Sequence, residues 1–170
     1  VELHQSLNGV ISKLVDAISF EVKALNNQTL IDNDKEASMA FHKKVAELRR
    51  SISGTGKVFG ETNNRIKYIK SAIEKYPTVP LELMPEAKTL ENEMTQLSLS
   101  LYGNSTKSSR DFETKPSISG RIGTVVYQTW YTTAAPTKSA KREFSIVEKE
   151  YPALLEKLKE IMAKVKALEI

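Results

Sequence analysis

The 170-residue sequence contains no cysteine, only one tryptophan and only two histidines. The lack of cysteine excludes disulfides, thiolate nucleophiles and cysteine-based zinc sites. His4 and His42 are far apart and neither belongs to an HExxH motif, so we expect no metal and no other cofactor. No apolar run approaches the roughly 18–20 residues needed to cross a bilayer, so we expect no membrane span.

Motifs of catalysis are also missing. The segment SGTGKV at 53–58 lacks the spacing of a phosphate-binding loop, and the chain has no G-x-S-x-G elbow. Glycoside hydrolysis needs two convergent carboxyl groups, and nothing singles out such a pair among the 21 acidic residues. We therefore expect no catalytic residues, and an enzyme with an unrecognised carboxylate site ranks third among the functions considered.

Apolar residues recur at three- and four-residue steps along most of the chain, which indicates amphipathic helices. The pattern predicts an all-α, up-and-down bundle of the four-helix type, with one or two shorter extra helices, as a single domain over residues 1–170. The predicted helical stripes cover residues 7–25, 41–52, 66–76, 83–101 and 140–168.

Several stretches are expected to interrupt these helices. Three glycines in SGTGKVFGETNN, residues 53–64, predict a break or hinge. Asn33 or Asp34 is expected to cap the helix that follows residue 34. Residues 103–117 lack periodicity and predict a polar loop, and Pro152 is expected to kink or interrupt the last helix.

The aromatic segment GRIGTVVYQTWYTTAAP, residues 120–136, is open to two structural interpretations. Its β-branched and aromatic residues favour a strand by propensity, whereas Ile122, Val126 and Trp130 step by four as in a helix. We favour the helix, because a lone strand would leave its backbone unpaired. Tyr127, Trp130 and Tyr131 then form either a packed anchor, which we favour, or a stacking platform for a ligand.

Positive charge is concentrated in residues 43–75, which hold nine Lys or Arg and three Glu. Such a stretch attracts acidic polymers, but it is also typical of a solvated helix face. The charges lie at several helical angles, so we favour the solvated face and expect no nucleic-acid partner.

Residues 97–151 resemble the C-terminal region of large bacterial exported proteins built on BNR-repeat, sortilin-type β-propellers, which are usually called glycosyl hydrolase-like proteins. The resemblance begins in a leucine-rich helix that ends in Leu-Tyr-Gly-Asn at 101–104. Its further elements are Arg110 with Glu113, Pro-Ser-Ile at 116–118, Arg121 with Ile122, Trp130, and Thr-Ala-Ala-Pro-Thr at 133–137.

This resemblance implies an all-α, non-catalytic accessory or interaction domain in an exported protein, periplasmic or at the cell surface. Its partner would be the propeller domain of the parent chain or another protein. In such families the hydrolase activity is ascribed to the propeller, and no catalytic residue carries over to this segment. We expect Arg110 and Arg121 to pair with acids such as Glu113 and so to order the loop, and Trp130 to anchor it.

The alternative function is a stand-alone binding module for glycans or acidic polymers. It predicts that Tyr127, Trp130 and Tyr131 form an exposed row close to the basic charges of residues 43–75.

Overall fold

The computed structural model describes residues 1–23 and 32–169 and divides the chain into two compact units, 1–31 and 32–170. The bundle therefore occupies residues 32–170 rather than the predicted 1–170. The elements of the first unit are the strands β1, Leu3–Leu7, and β2, Val10–Val15. The helices of the second unit are α1, Lys35–Lys75; α2, Met84–Tyr102; α3, Ser105–Ser108; α4, Ile118–Trp130; and α5, Lys138–Leu168.

The first unit is a β-hairpin, so the helix predicted from the stripe at 7–25 is wrong. Asn8 and Gly9 both have positive φ, 53° and 81°, as the two central residues of a type I′ turn require. The turn pairs Leu7 with Val10 and brings β1 and β2 together in an antiparallel sheet. Local turn chemistry therefore outweighs the helical spacing of the apolar residues. The last residue of the predicted stripe, Leu25, lies outside the described residues.

Helix α1 runs without interruption through residues 53–64, so the predicted glycine hinge is wrong. Its buried stripe continues across this stretch through Thr55, Phe59 and Thr62. A Cβ at Gly56 would lie 2.7 Å from the Tyr102 hydroxyl, so this exposed tyrosine side chain would have to move to admit a larger residue. Burial along a whole helix face compensates the roughly 1 kcal/mol that each interior glycine costs.

Helices α1, α2, α4 and α5 pack against one another around one hydrophobic core, which confirms the all-α bundle. Each contributes side chains that are almost completely inaccessible to solvent. These include Ile66 of α1, Met94 of α2, Val125 of α4 and Val147 of α5. Among the described residues, no helix is both long and apolar enough to cross a membrane.

The helix ends follow their local sequence. Asp34 caps α1 as predicted, since its carboxylate accepts a hydrogen bond from the Ala37 amide at 2.9 Å. Ser117 and Thr137 cap α4 and α5 in the same way. Gly103 ends α2 with φ +85°, and α5 continues through Pro152 rather than stopping there. The loop predicted at 103–117 contains the one-turn helix α3.

Candidate functional site

A groove of about 730 Å³ lies between the first half of α1 and the C-terminal end of α4. The α1 side of this α1/α4 groove begins at His42 and ends at Lys57, and its lining residues recur at three- and four-residue steps. They therefore share one helix face over roughly 22 Å. The α4 side consists of Val126, Thr129 and Trp130.

Residues 120–130 of the aromatic segment are helical as predicted, and α4 ends at Trp130. Its aromatic residues, however, do not form a packed anchor. Tyr127, Trp130 and Tyr131 are 68%, 74% and 77% exposed, and the two tyrosine rings lie 5.2 Å apart between centroids. We call these three residues the aromatic shelf. The expected burial of Trp130 is wrong because Ile118, Ile122 and Val125 supply the buried face of α4 instead.

The aromatic shelf adjoins the groove. A second hollow of about 330 Å³ is lined by all three shelf residues together with Val126 and Arg49, and both of the latter also line the groove. The two hollows thus form one continuous surface that carries aliphatic, aromatic and basic side chains.

The charged side chains of the groove are all basic. Arg49, Arg50 and Lys57 line it, and no aspartate or glutamate among the described residues does so. Nor does any of the three form an ion pair within the described ranges, 1–23 and 32–169. Charges of one sign beside apolar walls strengthen the local field that attracts ligands of the opposite sign.

His42 also lines the groove. Its Nε2 is buried and has no hydrogen-bond partner in the part of the chain that the structure describes, and such an atom costs free energy. Because this atom is inaccessible to solvent, it adds no polar contact for a ligand in the groove.

A hollow near the other end of α1 has a different character. It measures about 300 Å³ and is bordered by Arg65 and Glu169. The guanidinium donates hydrogen bonds of 2.6 and 2.5 Å to the two carboxylate oxygens. This hydrogen bonding lowers the pKa of Glu169 and raises that of Arg65. Its paired charges give this hollow little attraction for an anion.

The residues predicted to order the loop are not brought together. Arg121 pairs with Glu143 of α5, and its side chain is only 12% exposed. Arg110 and Glu113 are exposed, and neither forms an ion pair with any described residue. Arg121 thus pairs with an acid, as expected, but with Glu143 of a neighbouring helix rather than with Glu113, whereas the expected partner of Arg110 is not found among the described residues.

Sequence reasoning missed Arg49, Arg50 and Lys57 as members of one site. The available signal was their spacing, since Arg50 and Lys57 lie seven residues apart and so fall on one side of a helix. Without the position of α4, that side could not be distinguished from an ordinary solvated face.

Comparisons with family models, curated proteins and solved structures found no match to this chain.

The pKa values of the carboxyl groups bear on the hypothesis of an unrecognised carboxylate site. Asp32 and Glu169 are the described carboxyl groups with a clear pKa shift, and both pKa values are lowered, chiefly by hydrogen bonds from Ser38 and Arg65 respectively. A general acid in glycoside hydrolysis needs a raised pKa. No group of three metal-ligating side chains occurs among the described residues.

Proposed function

We propose that this chain is a non-catalytic helical binding module that captures an anionic polymer at the α1/α4 groove and the aromatic shelf. The observation that carries this proposal is the exposed row of Tyr127, Trp130 and Tyr131 next to Arg49 and Arg50, for which the described residues provide no ion-pair partner. The stand-alone binding hypothesis predicts this juxtaposition, and the anchor hypothesis does not.

The physical gain comes from two sources. Covering exposed aromatic rings removes large apolar areas from water, and stacking on them adds about 1 kcal/mol. Cations that form no ion pair with any described residue accelerate encounter with a negatively charged partner and select against positively charged ones. Together, these terms favour a ligand that has both negative charge and flat or apolar surfaces.

The larger setting of the module is a separate part of the proposal. The motifs at 101–104, 116–118 and 133–137 support an accessory domain of an exported propeller protein, either periplasmic or at the cell surface. Sequencing the gene on the 5′ side of the Val1 codon tests this setting. Propeller repeats in the same reading frame would support it, and an uninterrupted upstream reading frame without them would contradict it.

A fluorescence titration tests the binding function, because Trp130 is the only tryptophan and lies in the site. The probes are poly-L-glutamate and oligogalacturonate, with neutral dextran as the uncharged control. We expect saturable changes of emission with the anionic probes alone, weakening as salt is added. Saturation by dextran, or by none of the three, would refute the proposal.

Paired charge reversals locate the binding. Arg49→Glu with Arg50→Glu should weaken binding at least about tenfold, since each 1.4 kcal/mol is a factor of ten. Lys141→Glu with Lys157→Glu changes the net charge equally at exposed positions of α5 that do not line the groove. Equal losses of affinity in the two double variants would show that binding depends only on net charge, which would contradict a defined binding site.

A further inference from the structure

We infer that the occupant of the α1/α4 groove is an acidic amphipathic α-helix of a partner protein, an inference that rests on the proposed binding function. The α1 side is a straight helix face of about four turns, and the α4 side closes it only near Trp130. A groove of this form suits a helix lying along α1, as in other helix-in-groove complexes.

The floor of the groove allows a second helix to approach closely. Ala46, Ser53 and Gly54 are small and lie on the lining face of α1. Helices with small contact residues reach the short end of the usual 8–10 Å interaxial distance. A Cβ added to Gly54 would meet nothing within 4 Å, so the space above this part of the floor is open to an incoming helix.

The chemistry of the walls favours a protein over a glycan. Ala46, Val126 and Trp130 provide aliphatic and aromatic surface, whereas a sugar chain needs hydrogen-bond partners for its many hydroxyl groups. Tryptophan, tyrosine and arginine are also the residues most enriched at the energetic centres of protein interfaces. The groove and the aromatic shelf combine all three types.

The positions of the cations specify the charge pattern of the partner. Arg50 and Lys57 are seven residues apart on α1, which corresponds to about 10 Å along the helix axis. Carboxylates at positions i and i+7 of a partner helix have the same separation. A helix with acids at those positions can pair with both cations, and an apolar stripe between the acids can pack on the small residues of the groove floor.

A designed peptide provides the direct test. The probe is an 18-residue peptide with a leucine stripe and glutamates at i and i+7, and its control is a shuffled peptide of the same composition. We expect the helical peptide to bind at least about tenfold more tightly than the shuffled one, with induced helicity by circular dichroism. Equal affinity of the two peptides would overturn the inference.

Two glycines of α1 supply matched variants. Gly54→Leu should lower the affinity for the helical peptide at least about tenfold by filling the floor of the groove. Gly60→Leu should leave it unchanged, because Gly60 is also on α1 with no neighbour near its Cβ but does not line the groove. Retained peptide affinity in a folded Gly54→Leu variant would overturn the inference.

The same assay separates failure of the inference from failure of the proposed function. Tighter binding of oligogalacturonate or of a single-stranded oligodeoxynucleotide than of the helical peptide would overturn the helix but keep an anion-binding module. Failure of all anionic probes to bind would overturn both. A dimer in size-exclusion chromatography that Gly54→Leu makes monomeric would assign the groove to a second copy of this chain and overturn the inference.

Discussion

A buried hydrogen bond between Thr55 and Tyr151 explains in part why α1 continues through its glycine-rich segment. The Thr55 Oγ1 lies 2.7 Å from the Tyr151 hydroxyl oxygen and 3.1 Å from the Ser51 carbonyl oxygen. Since the threonine hydroxyl donates to Ser51, the tyrosine hydroxyl donates to the threonine. Both residues are 6% exposed, so water offers neither hydroxyl a ready substitute.

The expected loss of unfolding free energy depends on whether a substitution leaves a buried hydroxyl group without a hydrogen-bond partner. Tyr151→Phe removes one buried hydrogen bond while Thr55 keeps its bond to Ser51, so we expect a loss of about 0.5–1.5 kcal/mol. Thr55→Val leaves the tyrosine hydroxyl buried without an acceptor and should cost about 1–3 kcal/mol. The double variant leaves neither group unsatisfied. Its loss should fall short of the sum of the two single losses by about 1 kcal/mol.

Urea unfolding followed by far-ultraviolet circular dichroism measures these free energies, because the signal reports the helices directly. The slope of the unfolding free energy against urea concentration should be the same in all variants, whereas the urea concentration at the unfolding midpoint should change. Tyr68→Phe is the control, since Tyr68 is 73% exposed and should show no measurable change. Strictly additive single losses would refute the coupling, and with it this explanation for the uninterrupted helix.

Two further predictions concern burial and charge. Trp130→Ala should cost under about 1 kcal/mol in the same unfolding assay, because the ring is 74% exposed. Met94→Ala, at a fully buried position, should cost about 2–5 kcal/mol. Similar losses for the two variants would contradict the exposed position of Trp130. The hydrogen bonds from Arg65 lower the pKa of Glu169 in the folded state. The ion pair therefore stabilises the fold above the ordinary pKa of 4.5, and this stabilisation is lost as the pH falls through the lowered pKa of the folded state. The unfolding midpoints of wild type and Glu169→Gln should therefore differ at neutral pH and converge in acid, and a gap independent of pH would count against the ion pair.

Much of the bundle could be predicted from the sequence because burial on one helix face imposes a repeating pattern. The stripes of α2 and α5 agree with the buried residues of those helices, and the four-residue steps of α4 correctly outweighed its strand propensity. In all three cases, the period extends over several turns. A pattern that extends over several turns depends on many residues, so the conformational preference of any single residue has little effect on the prediction.

The errors occurred where a short signal competed with that period. Asn8 and Gly9 specify a hairpin within two residues, yet the apolar residues around them also fit helical steps. In residues 53–64 the opposite happened, because glycines that are unfavourable in isolated helices are compensated by tertiary burial of Phe59 and its neighbours. Neither outcome can be inferred from residue spacing alone.

The candidate site was predictable only in its parts. The aromatic residues of α4 and the basic charges of α1 could both be recognised, but their proximity depends on how the two helices pack. The partner of Arg121 similarly depends on α5, which places Glu143 beside it. A single sequence contains no pattern from which such contacts between distant segments can be predicted.

The groove exists because two packed helices differ in length. Helix α1 has 41 residues and α4 has 13, so α4 can cover only a fraction of the α1 face. An insertion of one helical turn after Trp130 would extend α4 by about 5 Å and shorten the open stretch accordingly. A deletion would lengthen it. Insertions and deletions at the end of α4 thus provide a simple route by which related proteins could accept longer or shorter ligands without any change in the core.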